Sequence, residues 1–473
     1  MTPRVLLITP PSPAVLREDR CMVPARNPLM SPSLPPADLL YLAAVAERAR
    51  CECRIEDYSG PGRTTVHLLD DVRAFQPEYL VVHAAAPTLE ADLQACTAVK
   101  DLFPAVRIIA KGSYFLTYAV EAMEQYPGLD LVIRGEAEET FREIIGNADP
   151  ARIDGLVWRS PRGIVRNPDR RPLDDLDTLP FPARHLIDNT RYVRPDTGRI
   201  QGVIKVSRGC PHGCFYCLAT PTAGSKVRRR SPANILAEIR ECVERYDIRD
   251  FLLWSDIFTD SKSWVADLCR TIIDSGIAIT WSANTRVDTI DRETARLMRA
   301  AGCSLVSVGV ESGNLDILRR MGKRTTPDQI RRSFRILRES GMEILAYYLI
   351  GLPWETRATA EDTIRLAVEL DSDYASFFVA TPFPGTAFYD YMIDQKLLSP
   401  ATAGVSAMFQ DAYYSAAVDG HHLNRKEIAA LRRQAVRRFH ARPRYILGRL
   451  QKVRSLRDLV TYTKAAIALL GRS

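Results

Sequence analysis

No run of apolar residues in this chain approaches membrane-spanning length, so the sequence offers no transmembrane helix. The start, "MTPRVLLITPPSP", has no basic leader and reaches Pro10 after a few apolar positions, which does not read as a signal peptide. A cytoplasmic protein is expected. Ten cysteines in 473 residues do not make a secreted disulfide framework, and in a reducing compartment clustered cysteines bind metal or do chemistry. Internal repeats and low-complexity tracts are absent. A strong excess of one sign of charge is missing too: the formal balance is only +7, with 26% charged and 46% hydrophobic residues. That is ordinary globular composition, enough for two or three domains with real cores.

What is present is alternation. Over residues 1–149, "RVLLIT", "CRIEDY", "YLVVHA", "VRIIAKG" and "LDLVIRG" read as five buried strands, separated by helical patterns such as "ADLLYLAAVAERA". Strand–helix alternation predicts an open, doubly wound parallel sheet, which binds ligands beyond the carboxyl ends of its strands. The glycine fingerprint of a dinucleotide site is missing. Residues 150–200, rich in Pro, Asp and Arg, are expected to be a linker. Residues 201–400 resume the alternation with "GVIKVS", "DFLLWSD", "IAITWSAN", "SLVSVGVE", "ILAYYLIG" and "YASFFVAT", six units that predict a partial parallel barrel with its chemistry at the carboxyl rim. Residues 401–473 are expected to be helical and basic; from His421 onward fourteen Lys and Arg face only Glu427 and Asp458.

The stretch "SRGCPHGCFYCLATPT" puts Cys210, Cys214 and Cys217 directly after the first barrel strand, with Gly209 and Gly213 permitting tight turns. Three thiolates so placed can face one centre. A structural zinc with His212 or a distant fourth ligand is one reading, making the chain a non-catalytic, zinc-stabilised binding protein. A disulfide with a spare thiol is another. A four-iron, four-sulfur cluster with one iron left open is the third. "CPHGCFYC", with its aromatic before the third cysteine, resembles the signature of the radical S-adenosylmethionine (SAM) superfamily. That resemblance implies a [4Fe-4S] cluster on the three cysteines. SAM would sit on the open iron and be cleaved to a 5′-deoxyadenosyl radical that attacks an unactivated carbon. It implies a TIM-like (β/α)6 barrel, and SAM contacts from Tyr216, Asp256, Asn284, Arg286 and Glu311 at the strand ends. No catalytic residue is assigned.

A doubly wound, Rossmann-like domain ahead of such a barrel resembles the cobalamin-binding subfamily, as do "VIRGEAEETFREI", "LPFPARHLID" and the basic tail. Cobalamin is therefore an expected cofactor and methyl transfer to carbon the leading reaction, with radical cyclisation or ring rearrangement as the alternative. The D-x-H-x-x-G motif that supplies a histidine to cobalt is missing; the domain's histidines are His67 and His83. Cys21, Cys51, Cys53 and Cys96 do not match the second cluster of methylthiotransferases, and these, with Cys242, Cys269 and Cys303, are expected to be buried or incidental thiols. The expected partners are a small-molecule or lipid substrate and a reductant such as flavodoxin or ferredoxin. Nucleic acid is not expected, and the basic tail is a candidate for peripheral membrane contact.

Overall fold

The computed structural model describes residues 2–13, 15–17, 34–59, 62–194, 197–398 and 416–451, with residues 409, 414, 453 and 463. Cys21, the "SPSLPP" loop up to residue 33 and most of the tail beyond residue 453 lie outside the described residues.

The first sheet contains the expected five strands: β1 (Arg4–Thr9), β2 (Glu52–Asp57), β3 (Tyr79–His83), β4 (Arg107–Lys111) and β5 (Leu131–Ile133). They run parallel in the order β2-β1-β3-β4-β5. Helices α1 (Ala37–Arg48), α2 (Thr65–Phe75), α3 (Leu89–Leu102), α4 (Phe115–Gln125) and α5 (Glu138–Ile145) connect and cover them. Covering both faces explains why the central strands are continuous apolar runs rather than alternating ones. Val5 to Ile8 and Tyr79 to Val82 are wholly buried. Strand order reverses between β1 and β3, whose carboxyl ends define the ligand edge.

Residues 150–200 are only partly a linker. "LVWRSPRGIVR" forms a hairpin, β6 (Leu156–Ser160) and β7 (Gly163–Arg166), that extends the first sheet antiparallel to β5. Leu156 and Val157 are buried at its start, the chain reverses at Pro161–Arg162, and the hairpin covers what would otherwise be a bare edge at β5. The remainder crosses to the second unit through short 3-10 turns.

The second unit is a six-stranded parallel sheet in the order β15-β14-β13-β12-β11-β8. Its strands are β8 (Gln201–Lys205), β11 (Asp250–Trp254), β12 (Thr280–Arg286), β13 (Cys303–Glu311), β14 (Glu343–Ile350) and β15 (Tyr374–Val379). A small antiparallel pair, β9 (Ser207–Arg208) with β10 (Arg228–Arg229), brackets the cysteine segment. Helices α6 (Ala219–Ala223), α7 (Pro232–Tyr246), α8 (Lys262–Asp274), α9 (Arg292–Ala300), α10 (Leu315–Arg320), α11 (Pro327–Glu339), α12 (Arg357–Leu370) and α13 (Ala387–Asp394) intervene. β8 and β15 are its two edges, so the barrel is partial and open.

The basic tail contains α14 (Arg425–His440) and α15 (Pro443–Leu450). A solvated or membrane-facing helix was the expectation for this whole region. α14 instead packs on β15 and α12, burying Ile428, Leu431, Val436 and Phe439. Several of its cations turn toward the barrel: Arg432 donates to the Phe377 carbonyl at 3.0 Å, and Arg438 and Gln434 both reach Glu361. Among the described residues no helix is long and apolar enough to cross a membrane.

Candidate functional site

The cysteine segment is shaped by backbone constraints. Gly209 sits at φ +98°, and a Cβ there would stand 2.2 Å from the Lys226 carbonyl oxygen, so no side chain fits. Its N–H donates to Asp256 Oδ2 at 2.8 Å. The Cys210 N–H donates to the Gly224 carbonyl and the Cys217 N–H to the Cys214 carbonyl, each at 3.0 Å. All three cysteines are half-buried and none is in a disulfide, whereas Cys51, Cys53, Cys96, Cys242, Cys269 and Cys303 are buried among apolar neighbours. Burial pushes the Cys96, Cys242, Cys269 and Cys303 thiols up, as packing residues rather than reactive ones. No disulfide joins any of the described cysteines. Nor, among the described residues, do three His, Cys, Asp or Glu side chains gather closely enough for a single metal ion.

A connected set of polar side chains lies beside the thiols. Arg286, at the end of β12, points Nη1 at Cys214 Sγ, 3.9 Å away. It is held flat by a bidentate pair to Asp288 (2.9 and 2.8 Å) and by the Lys323 carbonyl at 2.6 Å. Glu311, the last residue of β13, is buried at φ +68°, a strained backbone conformation for a non-glycine residue. Its Oε1 accepts from Lys323 Nζ at 2.9 Å. A Cβ on Gly309 would stand 2.3 Å from that oxygen and 2.8 Å from Lys323 Nζ, so Gly309 is what leaves room for the pair. Burial and the adjacent Glu311 carboxylate push the Tyr216 phenol up. Tyr216, Arg286 and Glu311 thus form one network with Cys214. Asp256 joins through Gly209, and Asn284 stands two residues before Arg286 on the same strand, its carbonyl accepting from Phe258 N at 3.1 Å.

Sequence reasoning missed Lys323 and Asp288. "RRMGKRT" reads as an ordinary basic helix end, and only the fold carries it back to Glu311.

A small, half-open cleft lies between the ligand edge of the first sheet and the barrel rim. Asp38, Lys111, Glu136 and Glu138 line it from one side; Lys205, Arg208, Trp254 and Asp256 line it from the other. The two sides are laced together. Asp38 pairs with both Lys111 and Lys205. Burial alone would raise its carboxyl, but Lys111, Lys205 and His83 hold it well below the usual range. Glu138 pairs with Arg208 and Glu136 with Arg228, each at 2.5 Å. Glu136 and Glu138, both in "VIRGEAEETFREI", therefore fasten the first sheet to the β9–β10 base of the cysteine segment.

Beyond β3 and β4, Ala84, Ala85, Ala86, Gly112 and Ser113 are small, buried residues, and a Cβ on Gly112 (φ +148°) would meet the Ala84 carbonyl oxygen at 2.2 Å. Arg17 packs over this edge, donating to the His83 carbonyl at 2.8 Å and pairing with Asp92 at 2.7 Å. His83 is buried with Nε2 3.9 Å from Asp38.

An open parallel half-barrel with three clustered cysteines at its rim, facing the ligand edge of a doubly wound sheet, defines a two-domain cofactor enzyme. Comparison with known proteins agrees. A profile for the Radical SAM superfamily matches residues 204–367, and one for the B12 binding domain matches residues 31–145. The chain is 29% identical over 450 residues to an uncharacterised methyltransferase of Pyrococcus horikoshii, covering 94% of both. It is 25% identical to the anaerobic magnesium-protoporphyrin IX monomethyl ester cyclase of Rubrivivax gelatinosus, covering 65% of this chain and 60% of that one. Its fold resembles the radical SAM methyltransferase TsrM of Kitasatospora setae, solved with cobalamin and a [4Fe-4S] cluster, at a TM-score of 0.68 and 20% identity over 86% of this chain and 79% of that one. Residues 204–367 are thus a radical SAM domain, and residues 31–145 ahead of them a B12-binding domain.

Proposed function

We propose that this chain is a cobalamin-dependent radical SAM methyltransferase acting on an unactivated carbon of a small molecule. The observation that carries this reading is the shared cleft, lined at once by the B12-binding edge and by the floor of the cysteine loop. Residues 1–149, with the β6–β7 hairpin, form the cobalamin domain; residues 201–400 form the barrel. Cys210, Cys214 and Cys217 hold the cluster. Tyr216, Asp256, Asn284, Arg286 and Glu311 contact SAM. When bound, the cluster and SAM supply the 5′-deoxyadenosyl radical, and cobalamin carries the methyl group.

The chain's own residues position and shield. Asp256 fixes the first turn of the loop through Gly209. Arg286, immobilised by Asp288, sets a cation 3.9 Å from the Cys214 sulfur. Lys323 neutralises Glu311, so that a carboxylate is tolerated where little water reaches. The cleft walls exclude solvent from a reactive intermediate.

Methyl transfer is favoured over cyclisation because two methyltransferase relatives match over 90–94% of their length, while the cyclase relatives match over 60–78% of theirs. Label supplied in the SAM methyl group should appear in product, and label confined to methionine rejects methyl transfer. A Cys210→Ala, Cys214→Ala, Cys217→Ala variant should form no 5′-deoxyadenosine.

An anionic membrane is the second contact this reading carries, and it narrows to α15. There Ile446, Leu447 and Leu450 are about half exposed, beside Arg444. It would suit a lipid substrate. Leu447→Asp with Leu450→Asp should abolish co-sedimentation with anionic liposomes, and a wild type that stays in the supernatant rejects the contact.

A further inference from the structure

The cysteine loop reaches the surface at Pro211 and Gly213, both exposed. Packed against it is the end of α10 and the turn that follows. The Phe215 N–H donates to the Met321 carbonyl at 3.0 Å, and a Cβ on Gly322 would stand 3.7 Å from the Gly213 carbonyl oxygen. The same turn presents Arg319, Arg320 and Arg324 to solvent. The neighbouring acids are already engaged: Asp288 by Arg286, Asp316 by Arg320, Glu311 by Lys323. Arg319 and Arg324 have no ion pair among the described residues. Positive charge is therefore left uncompensated beside the loop.

A second observation concerns what lies beneath this face. Phe215, between two of the thiols, is 4.7 Å from the Trp354 ring, and Trp354 is 5.3 Å from Tyr391. Trp354 Nε1 donates to the Tyr391 hydroxyl at 2.9 Å, and Tyr391 meets the exposed His421 at 5.9 Å. The Arg320 guanidinium lies 5.9 Å over Trp354. A contiguous series of π-systems thus joins the loop to the surface alongside the arginines.

We propose that this face, centred on Pro211 and Gly213 and rimmed by Arg319, Arg320 and Arg324, docks an acidic electron-transfer protein of the ferredoxin class. The proposal rests on the reading of the three cysteines as cluster ligands. One electron leaves the donor's reduced iron–sulfur centre, which is oxidised by one unit, and enters the cluster of this chain, which is reduced by one. No proton or other group moves. Exposed, uncompensated cations steer an acidic partner and set the orientation in which it lands, and they do so in a salt-dependent way. Landing here brings the two centres together through one thin loop.

The test is a calorimetric titration of an oxidised plant-type [2Fe–2S] ferredoxin into the reconstituted full-length protein. The charge-reversed variant Arg319→Glu/Arg324→Glu should raise Kd by roughly tenfold or more, as loss of a complementary patch does. Arg319→Lys/Arg324→Lys should stay within about threefold of wild type, and wild-type affinity should fall as salt approaches about 0.5 M. Unchanged Kd in the charge-reversed variant, salt-independent affinity, or binding of duplex DNA without ferredoxin each overturns the docking surface. SAM cleavage driven by dithionite is the control: it should be equal in all three proteins. Its absence from wild type would sink the radical SAM reading and leave the calorimetry to judge the surface.

Discussion

Gly209 is where the cysteine loop is most narrowly determined, since both its left-handed φ and the Lys226 carbonyl forbid a side chain. Gly209→Ala should leave the protein folded by circular dichroism but sharply reduce iron bound per chain after reconstitution, because the carbonyl must move by more than an ångström. Full iron content would show that the turn is not required. Glu355 makes a different point. It is wholly buried after β14, and Oε2 accepts from the Gly351 N–H at 2.6 Å, while Oε1 has no partner among the described residues. Burial pushes its carboxyl up to about 7. The folded state therefore holds a proton that the unfolded chain releases near pH 4.5, so this group's contribution to stability declines as pH rises between the two values. Wild type should lose on the order of 2 kcal/mol relative to Glu355→Gln between about pH 5.5 and 8.5, read by urea unfolding. Parallel curves for the two proteins would exclude it. Neither feature was visible beforehand: a Gly beside a Cys is legible as a turn, but what its Cβ would strike comes from a residue seventeen positions on.

At the scale of elements, every strand read from apolar runs is present, because helices on both faces of a parallel sheet make those runs unambiguous. The β6–β7 hairpin went unread because Pro, Arg and Asp around it outweighed its few apolar residues. The clearest energetic consequence at this scale is the junction of the linker with α7. Arg184 from "LPFPARHLID" is buried, donating to the Val203 carbonyl at 2.8 Å and to Glu238, which also takes Arg230. Burial would raise Glu238, but the two guanidiniums hold it low. Glu238→Leu leaves two buried cations uncompensated and should cost about 3–5 kcal/mol in denaturant unfolding. Adding Arg184→Met and Arg230→Met should recover most of it, and an equal loss in the triple variant would argue that packing, not charge, dominates.

For the whole molecule, the tail is the main revision. Composition alone described α14 as basic; its inward face is spread over Ile428, Leu431, Val436 and Phe439, spaced three to five residues apart among arginines, and is easily read as a solvated helix. A chain ending at residue 422 should therefore lose cooperative unfolding, since each of these side chains is worth about 1.5–3 kcal/mol of burial. A chain ending at residue 451 should unfold like wild type. If the shorter chain also unfolds cooperatively at the wild-type midpoint, α14 is dispensable to the barrel.

Asp38 settles two lysines, one from each half of the molecule, and none of the three sits in a recognisable motif. The consequence is one of inheritance. Cofactor motifs can be shuffled between relatives as modules, but this trio cannot. A chimera that joins this amino-terminal half to another barrel, without a cation at the position of Lys205, would leave Asp38 with one lysine fewer in the cleft. The two halves are matched by an ion-pair contact outside any motif, and exchanging either half requires its charged partner to come with it.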